Sequence, residues 1–311
     1  MRTFYQAVED YLALRRGLGF KLREYGECLA QFVSFLKKHG AAHITNKLAV
    51  EYATQRQQEK PVSWSRRLAI IRGFARYRFG ADPKTEIPPV GLLRFRSRRA
   101  RPYVYSPHEI RRLLQAALKI ESPHKLQRHT YYCLFGLLAV SGMRLGEAIN
   151  FQPQDMDWSE GVLTIRGAKF GKTRLVPLHS STLAVLRNYA DLRDKIFAGR
   201  VLPTFLVTSH GTKLEKTNLS RIFRELSRQI GIRAPGVRNG PRLHDFRHRF
   251  AIETLLRWYR RGESVPRRMP VLSTYLGHGN VSGTYWYLSS TPELLAVASK
   301  LIETRWKGAV R

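Results

Sequence analysis

The sequence predicts a mainly α-helical protein of two domains, with a small antiparallel β-sheet in the second. Three observations predict it. Apolar residues recur at helical spacing along most of the chain. One hairpin pattern interrupts that spacing, Val162-Leu163-Thr164-Ile165 and then Leu175-Val176-Pro177-Leu178. A stretch of prolines and arginines between about 83 and 102 separates two blocks that each carry enough apolar residues for a core.

Residues 1 to 90 read as a helical domain. Phe4, Val8, Tyr11 and Leu12 mark a first helix, and Leu22, Tyr25, Leu29, Phe32 and Leu36 a second that stops at His39-Gly40. Thr45 caps a third through Tyr52, and Ser63 caps a fourth carrying Leu68, Ile71, Phe74 and Tyr77. That fourth helix is strongly basic, and its Arg66 and Arg67 are candidate DNA contacts. Residues 91 to 104 form a basic linker, where Arg94, Arg96, Arg98, Arg99 and Arg101 are candidates for tracking phosphates.

The second domain, 105 to 311, opens on Ser106-Pro107-His108-Glu109, a capping box with proline at the first helical position. A core helix covers about 127 to 140, and a short helix starts at Arg144. The hairpin follows, its strands joined by residues 167 to 173, and another short strand is expected at Phe205-Leu206-Val207. Helices are expected over 180–200, 215–231, 243–260, 268–276 and 291–306. No solenoid repeat is visible.

Composition narrows the function. The chain has 311 residues, 54 Lys+Arg against 23 Asp+Glu, and a net charge of +31, which favours a polyanionic partner. The longest apolar stretch, Tyr131 to Val140, is half the ~20 residues that span a bilayer, so a membrane protein is not expected. The first residues, with acidic Glu9-Asp10 inside the apolar pattern, do not resemble a signal peptide. Cys28 and Cys133 fit neither a disulfide framework nor a metal site, which suits a reducing cytoplasm or nucleoid. His244 and His248 stand at i and i+4, but no third ligand is at hand, so no metal is expected.

Five stretches of the second domain concentrate reactive side chains. They are Ser141-Gly142-Met143-Arg144-Leu145-Gly146-Glu147, Lys169 in the hairpin turn, Leu243-His244-Asp245-Phe246-Arg247, Leu276-Gly277-His278, and Tyr285-Trp286-Tyr287. Breaking a phosphodiester without a metal requires a nucleophile, cations on the non-bridging oxygens and a proton for the leaving oxygen. Arginine suits the clamp because its planar fork offers two parallel donors to phosphate. A tyrosine is a poor nucleophile until cations flank it. Each residue has an ordinary alternative: Arg144 pairing with Glu147, Lys169 or Lys172 as a solvated turn lysine, His244 as a capping histidine. Tyr285 rivals Tyr287 on chemistry alone.

In order, type and local company, these stretches resemble the catalytic domain of the tyrosine recombinases and phage-type integrases, over roughly residues 105 to 300. Residues 1 to 90 are similar to that family's core-binding domain in length and helicity only. The resemblance implies a two-domain clamp on double-stranded DNA. It makes Arg144 and Arg247 the phosphate clamp, His244 a base or phosphate partner, and His278 a phosphate donor. Lys169 becomes the acid for the 5′ oxygen, Glu147 an indirect support, and Tyr287, nine residues after His278, the nucleophile. It implies strand exchange through a 3′-phosphotyrosyl bond, without cofactor or ATP, by a homotetramer on DNA that can include related recombinases. The helix at 291–306 is then a candidate for docking on a neighbouring subunit, with packing inside its own chain as the alternative. The basic stretch from Tyr259 to Pro270 is longer than the connection such proteins place there. A type IB topoisomerase, a non-catalytic DNA-binding protein and a generic basic scaffold remain the rivals.

Overall fold

The computed structural model describes residues 3–20, 22–93, 101–121, 125–166, 173–237, 240–289 and 291–309. The chain divides into two compact units, Met1–Ala100 and Arg101–Arg311.

The first unit holds α1 (Phe4–Gly17), α2 (Arg23–Lys38), α3 (Asn46–Thr54) and α4 (Pro61–Phe79). Thr3 and Gln6 close a reciprocal capping box on α1, and Thr45 caps α3 as expected. The start of α4 differs from expectation. Ser63 lies inside its first turn and donates its backbone N–H to Lys60 O, because Pro61 opens the helix two residues earlier. Tyr11, Phe32, Leu36, Tyr52, Ile71 and Phe74 are buried together and hold the four helices around one core. The chain after α4 folds back on it: Arg72 donates to Pro88 O and Pro89 O, and Ser65 Oγ to Leu93 O at 2.8 Å.

The second unit begins with α5 (Pro107–Leu118), capped by Ser106 and Glu109 as the sequence predicts. The buried α6 (Leu126–Ser141) and the single turn α7 (Leu145–Ala148) follow. The sheet is antiparallel, ordered β1 (Met156–Asp157), β2 (Val162–Ile165), β3 (Arg174–Pro177). Its register pairs Met156 with Leu163, Leu163 with Val176, and Ile165 with Arg174. Leu163, Ile165 and Val176 turn into the core while Leu175 faces solvent.

The expected strand at 205–207 is corrected. Val207 makes only an isolated bridge to Lys213, and the third strand is Met156–Asp157 instead. Residues 204–207 are drawn into the core: Phe205 stacks on Phe151 at 4.8 Å, and Val207 N–H donates to the buried Tyr189 hydroxyl.

The remaining elements are α8 (Ser180–Ile196), α9 (Lys216–Gln229), α10 (Asp245–Arg260), α11 (Val265–Leu276), α12 (Ser282–Tyr285), a 3₁₀ turn at Trp286–Ser289, and α13 (Pro292–Ala309). α11 starts three residues before the expected 268 and runs through Pro270. Proline tolerance in the first turn explains Pro266. Burial of Met269, Leu272 and Leu276 on α10 offsets the backbone hydrogen bond that Pro270 forgoes. The basic stretch ahead of it is thus the end of α10 and the first half of α11, joined at Gly262 (φ +68°). Leu294 and Val297 of α13 pack against this same cluster, so the first turns of the last helix lie on their own unit.

Candidate active site

The site assembles around the C-terminus of α11. Helix ends leave carbonyls without intrahelical partners, and these attract cations. Here Leu276 O accepts from Arg247 Nη2, and Gly277 O accepts from Arg144 Nη2 at 2.7 Å. Arg247 also donates to Gly142 O at 3.0 Å, at the end of α6. Two glycines make this convergence possible. Gly277 sits at φ +65°, and a Cβ there would lie 3.0 Å from Arg174 Nη1 and 3.3 Å from Arg144 Nη1. Gly142 sits at φ +59°, where a Cβ would strike the Phe250 ring at 2.6 Å.

Glu147 ties the cations from below. Its carboxylate accepts from the Arg144 backbone N–H and side chain, at 2.8 and 2.9 Å. It also takes a bidentate pair from Arg174, at 3.0 and 2.7 Å. Burial pushes the Glu147 carboxyl up, but the Arg174 and Arg144 bonds outweigh it and hold its pKa at about 2. The ion pair between Arg144 and Glu147, the ordinary alternative for that arginine, is therefore present together with the Gly277 contact. Arg174 escaped the sequence reading. Its basic type at the start of β3, opposite the short α7, was the available signal. Two guanidiniums bind one carboxylate and a third, Arg247, lies within its field, so the site carries surplus positive charge. Burial first, and then the charge of Arg144, lowers Arg247 to about 10, still cationic at neutral pH.

The start of α10 sets the histidines. Asp245, fully buried, accepts from the Arg242 backbone N–H and guanidinium and pins the first turn. His244 occupies the cap position, one turn before Arg247 and in contact with the ring of His248 (centroids 4.7 Å apart). Loss of hydration, and then the charge of Arg247, lowers the His244 pKa. His278 bonds Thr284 Oγ1 through Nδ1 at 2.7 Å, which leaves Nε2 for another partner. Burial, and then Arg247 and Arg144, brings His278 down to about 4.

The two tyrosines part company. Tyr285, on α12, is 47% exposed. Tyr287, in the 3₁₀ turn, is 2% exposed and packs with Leu276, Leu255 and Met269. Its ring lies 6.4 Å from His278 and nearly parallel to it, and its hydroxyl is 3.2 Å from His248 Nδ1. Its charge, when ionised, favours the protonated form of Arg247. The structure thus brings together Arg144, Glu147, His244, Arg247, His278 and Tyr287.

Lys169 lies outside the described residues, as do Arg94, Arg96, Arg98 and Arg99. Arg101 is exposed. Arg66 is exposed and pairs with Glu24. Arg67 is largely covered: its side chain is 14% exposed and donates to Glu59 and Ala53 O. Among the described residues, no three of His, Cys, Asp and Glu converge as a metal group, and no helix is long and apolar enough to cross a membrane.

Residues 104–293 match the phage integrase family. The chain is 51% identical over 311 residues to y4rB, a protein of Sinorhizobium fredii named as an inferred integrase/recombinase, covering 99% of each. It is 27% identical to a tyrosine recombinase of Pseudothermotoga lettingae, over 93% of this chain and 94% of the other. Its fold is similar to the Tn1549 transposon integrase solved with transposon right end DNA (TM-score 0.67, 12% identity, 96% of this chain and 98% of that one). A buried tyrosine beside clustered arginines and histidines, and relatives along the whole chain, lead to one conclusion: the chain belongs to the phage integrase family of tyrosine recombinases, enzymes that break and rejoin DNA strands.

Proposed function

We propose that this chain is a site-specific DNA recombinase in which Tyr287 is the nucleophile and Arg144 and Arg247 clamp the scissile phosphate. The observation that carries the reading is the burial of Tyr287 beside His278, with both arginines anchored on the α11 terminus. Anchored forks are pre-organised, so they stabilise the charge of a pentavalent transition state without reorganising. His278, neutral at pH 7, has Nε2 available to donate to a non-bridging oxygen when Thr284 holds Nδ1 as the acceptor. His244, one turn before Arg247, is a further partner of the phosphate. Glu147 keeps Arg144 in register. Lys169 delivers the proton to the leaving 5′ oxygen.

Attack forms the bond from phosphorus to the Tyr287 oxygen and breaks the bond to the 5′ oxygen. The product is a 3′-phosphotyrosyl link and a free 5′-hydroxyl, and the hydroxyl of a partner strand reverses the step. Bond energy stays in the link, so neither ATP nor a metal is required. Exchange of two duplexes takes four such sites, hence a homotetramer on DNA. Exposed Arg66 and Arg101 serve the phosphate backbone. The working place is the cytoplasm, with the nucleoid.

The test uses a pool of random-sequence duplexes carrying a nick, which traps covalent intermediates. Denaturing recovery and sequencing of protein-linked DNA is expected to return one defined site with protein on the 3′ side. Linkage without site preference points to a relaxing topoisomerase. No linkage refutes catalysis.

A further inference from the structure

The recombinase reading leaves one residue of the site without a role. We propose that His248 is the catalytic base, its Nδ1 taking the phenolic proton as the Tyr287 oxygen bonds to phosphorus. The proposal rests on the reading of Tyr287 as nucleophile.

Three observations carry it. First, His248 Nδ1 stands 3.2 Å from the Tyr287 hydroxyl, at the edge of general-base reach. When Nε2 carries the ring hydrogen, Nδ1 accepts from the Tyr287 hydroxyl. Second, the contact is built into the fold. His248 sits on α10 beside Arg247 and is held against Trp286 (5.3 Å) and Tyr287 (5.5 Å), and Tyr287 is buried. Third, the other two histidines of the site have different neighbours. His278 lies over the phenol face, its ring within 21° of parallel, with Nδ1 bonded to Thr284. His244 is in edge contact with His248, and burial first, then the charge of Arg247, disfavours a proton there.

The step balances. The Tyr287 oxygen bonds to phosphorus as its proton passes to His248 Nδ1. The bond to the 5′ oxygen breaks, and that oxygen takes a proton from Lys169. In the reverse step His248 returns its proton to the phenol.

The test measures single-turnover adduct formation on a nicked duplex carrying the site recovered above. His248→Asn keeps a polar group near the Nδ1 position but is not basic. It is expected to bind DNA as wild type does and to slow both cleavage and religation by about 10²-fold or more. Replacing Tyr287 with a fluorinated, more acidic tyrosine should restore most of the lost rate in His248→Asn and little in wild type. A 5′-phosphorothiolate substrate, whose leaving group needs no proton, should rescue Lys169→Ala but not His248→Asn. The proposal is overturned if His248→Asn cleaves within threefold of wild type. It is equally overturned if the fluorinated tyrosine gives no rescue, or if the thiolate rescues both variants alike. Absence of any adduct from wild type overturns the nucleophile reading and the base with it.

Discussion

Glu147→Gln tests how far the charge network holds the second unit together. Glu147 and Arg174 each have side chains only 9% exposed, so solvent screens their pair weakly. The carboxyl falls from an ordinary value near 4.5 to about 2. At ~1.4 kcal/mol per pH unit, that corresponds to ~3 kcal/mol of stabilisation. Breaking a buried pair from one side gives an independent figure of about 3–5 kcal/mol. Glutamine keeps one acceptor and loses the charge, so a loss of ~3 kcal/mol is expected. For a unit of this size, calorimetry at pH 7 should show its transition roughly 6–12 °C lower. The pH dependence has a definite sign. A carboxyl depressed on folding stabilises fully above 4.5, and that contribution drains away as pH falls toward 2. The gap between wild type and Glu147→Gln should therefore narrow below pH 4.5. A gap under about 2 °C at pH 7, or one that does not change down to pH 3, refutes the account of Glu147 as the network's anchor.

Other outcomes follow from the same geometry. Gly277→Ala forces a Cβ toward Arg174 at φ +65° and should cost about 1–2 kcal/mol, with at least tenfold less adduct at unchanged DNA affinity. His278 should titrate at about 4 by NMR in the DNA-free protein, not near 6.5. Because folding lowers it, its contribution is fully present above about 6.5 and is lost as pH falls toward 4. Tyr189→Phe strips an acceptor from the buried Val207 N–H and a partner from Thr130, and should cost ~1–3 kcal/mol by denaturant titration without changing cleavage.

Much of this molecule was legible in its sequence because its signals are local. Helical periodicity located the principal helices, and Ser106 with Glu109 announced α5 to the residue. β1 was invisible because two residues, Met156 and Asp157, carry no alternation; only pairing with β2 makes them a strand. The apolar run at 205–207 looked like a strand because burial and strand propensity share residue types, and here aromatic packing claimed it. The site divides along the same line. Arg144, His244, Arg247, His278 and Tyr287 stood in short ordered motifs. Arg174 and His248 border such motifs, and their roles show only through partners 27 and 39 residues away along the chain. In the sequence, His248 is weighed only as a metal partner of His244 and set aside; only the tertiary fold shows its Nδ1 at the Tyr287 hydroxyl. Tyr287 and Tyr285 were equal in composition; the turn from α12 into a 3₁₀ segment buries one and exposes the other.

The central claim is that Tyr287 attacks DNA, and peptide mapping of the trapped protein–DNA adduct by mass spectrometry tests it most directly. The account predicts a nucleotide remnant on Tyr287, no adduct from Tyr287→Phe, and normal adduct from Tyr285→Phe. A remnant on Tyr285, or an adduct that survives Tyr287→Phe, would contradict it.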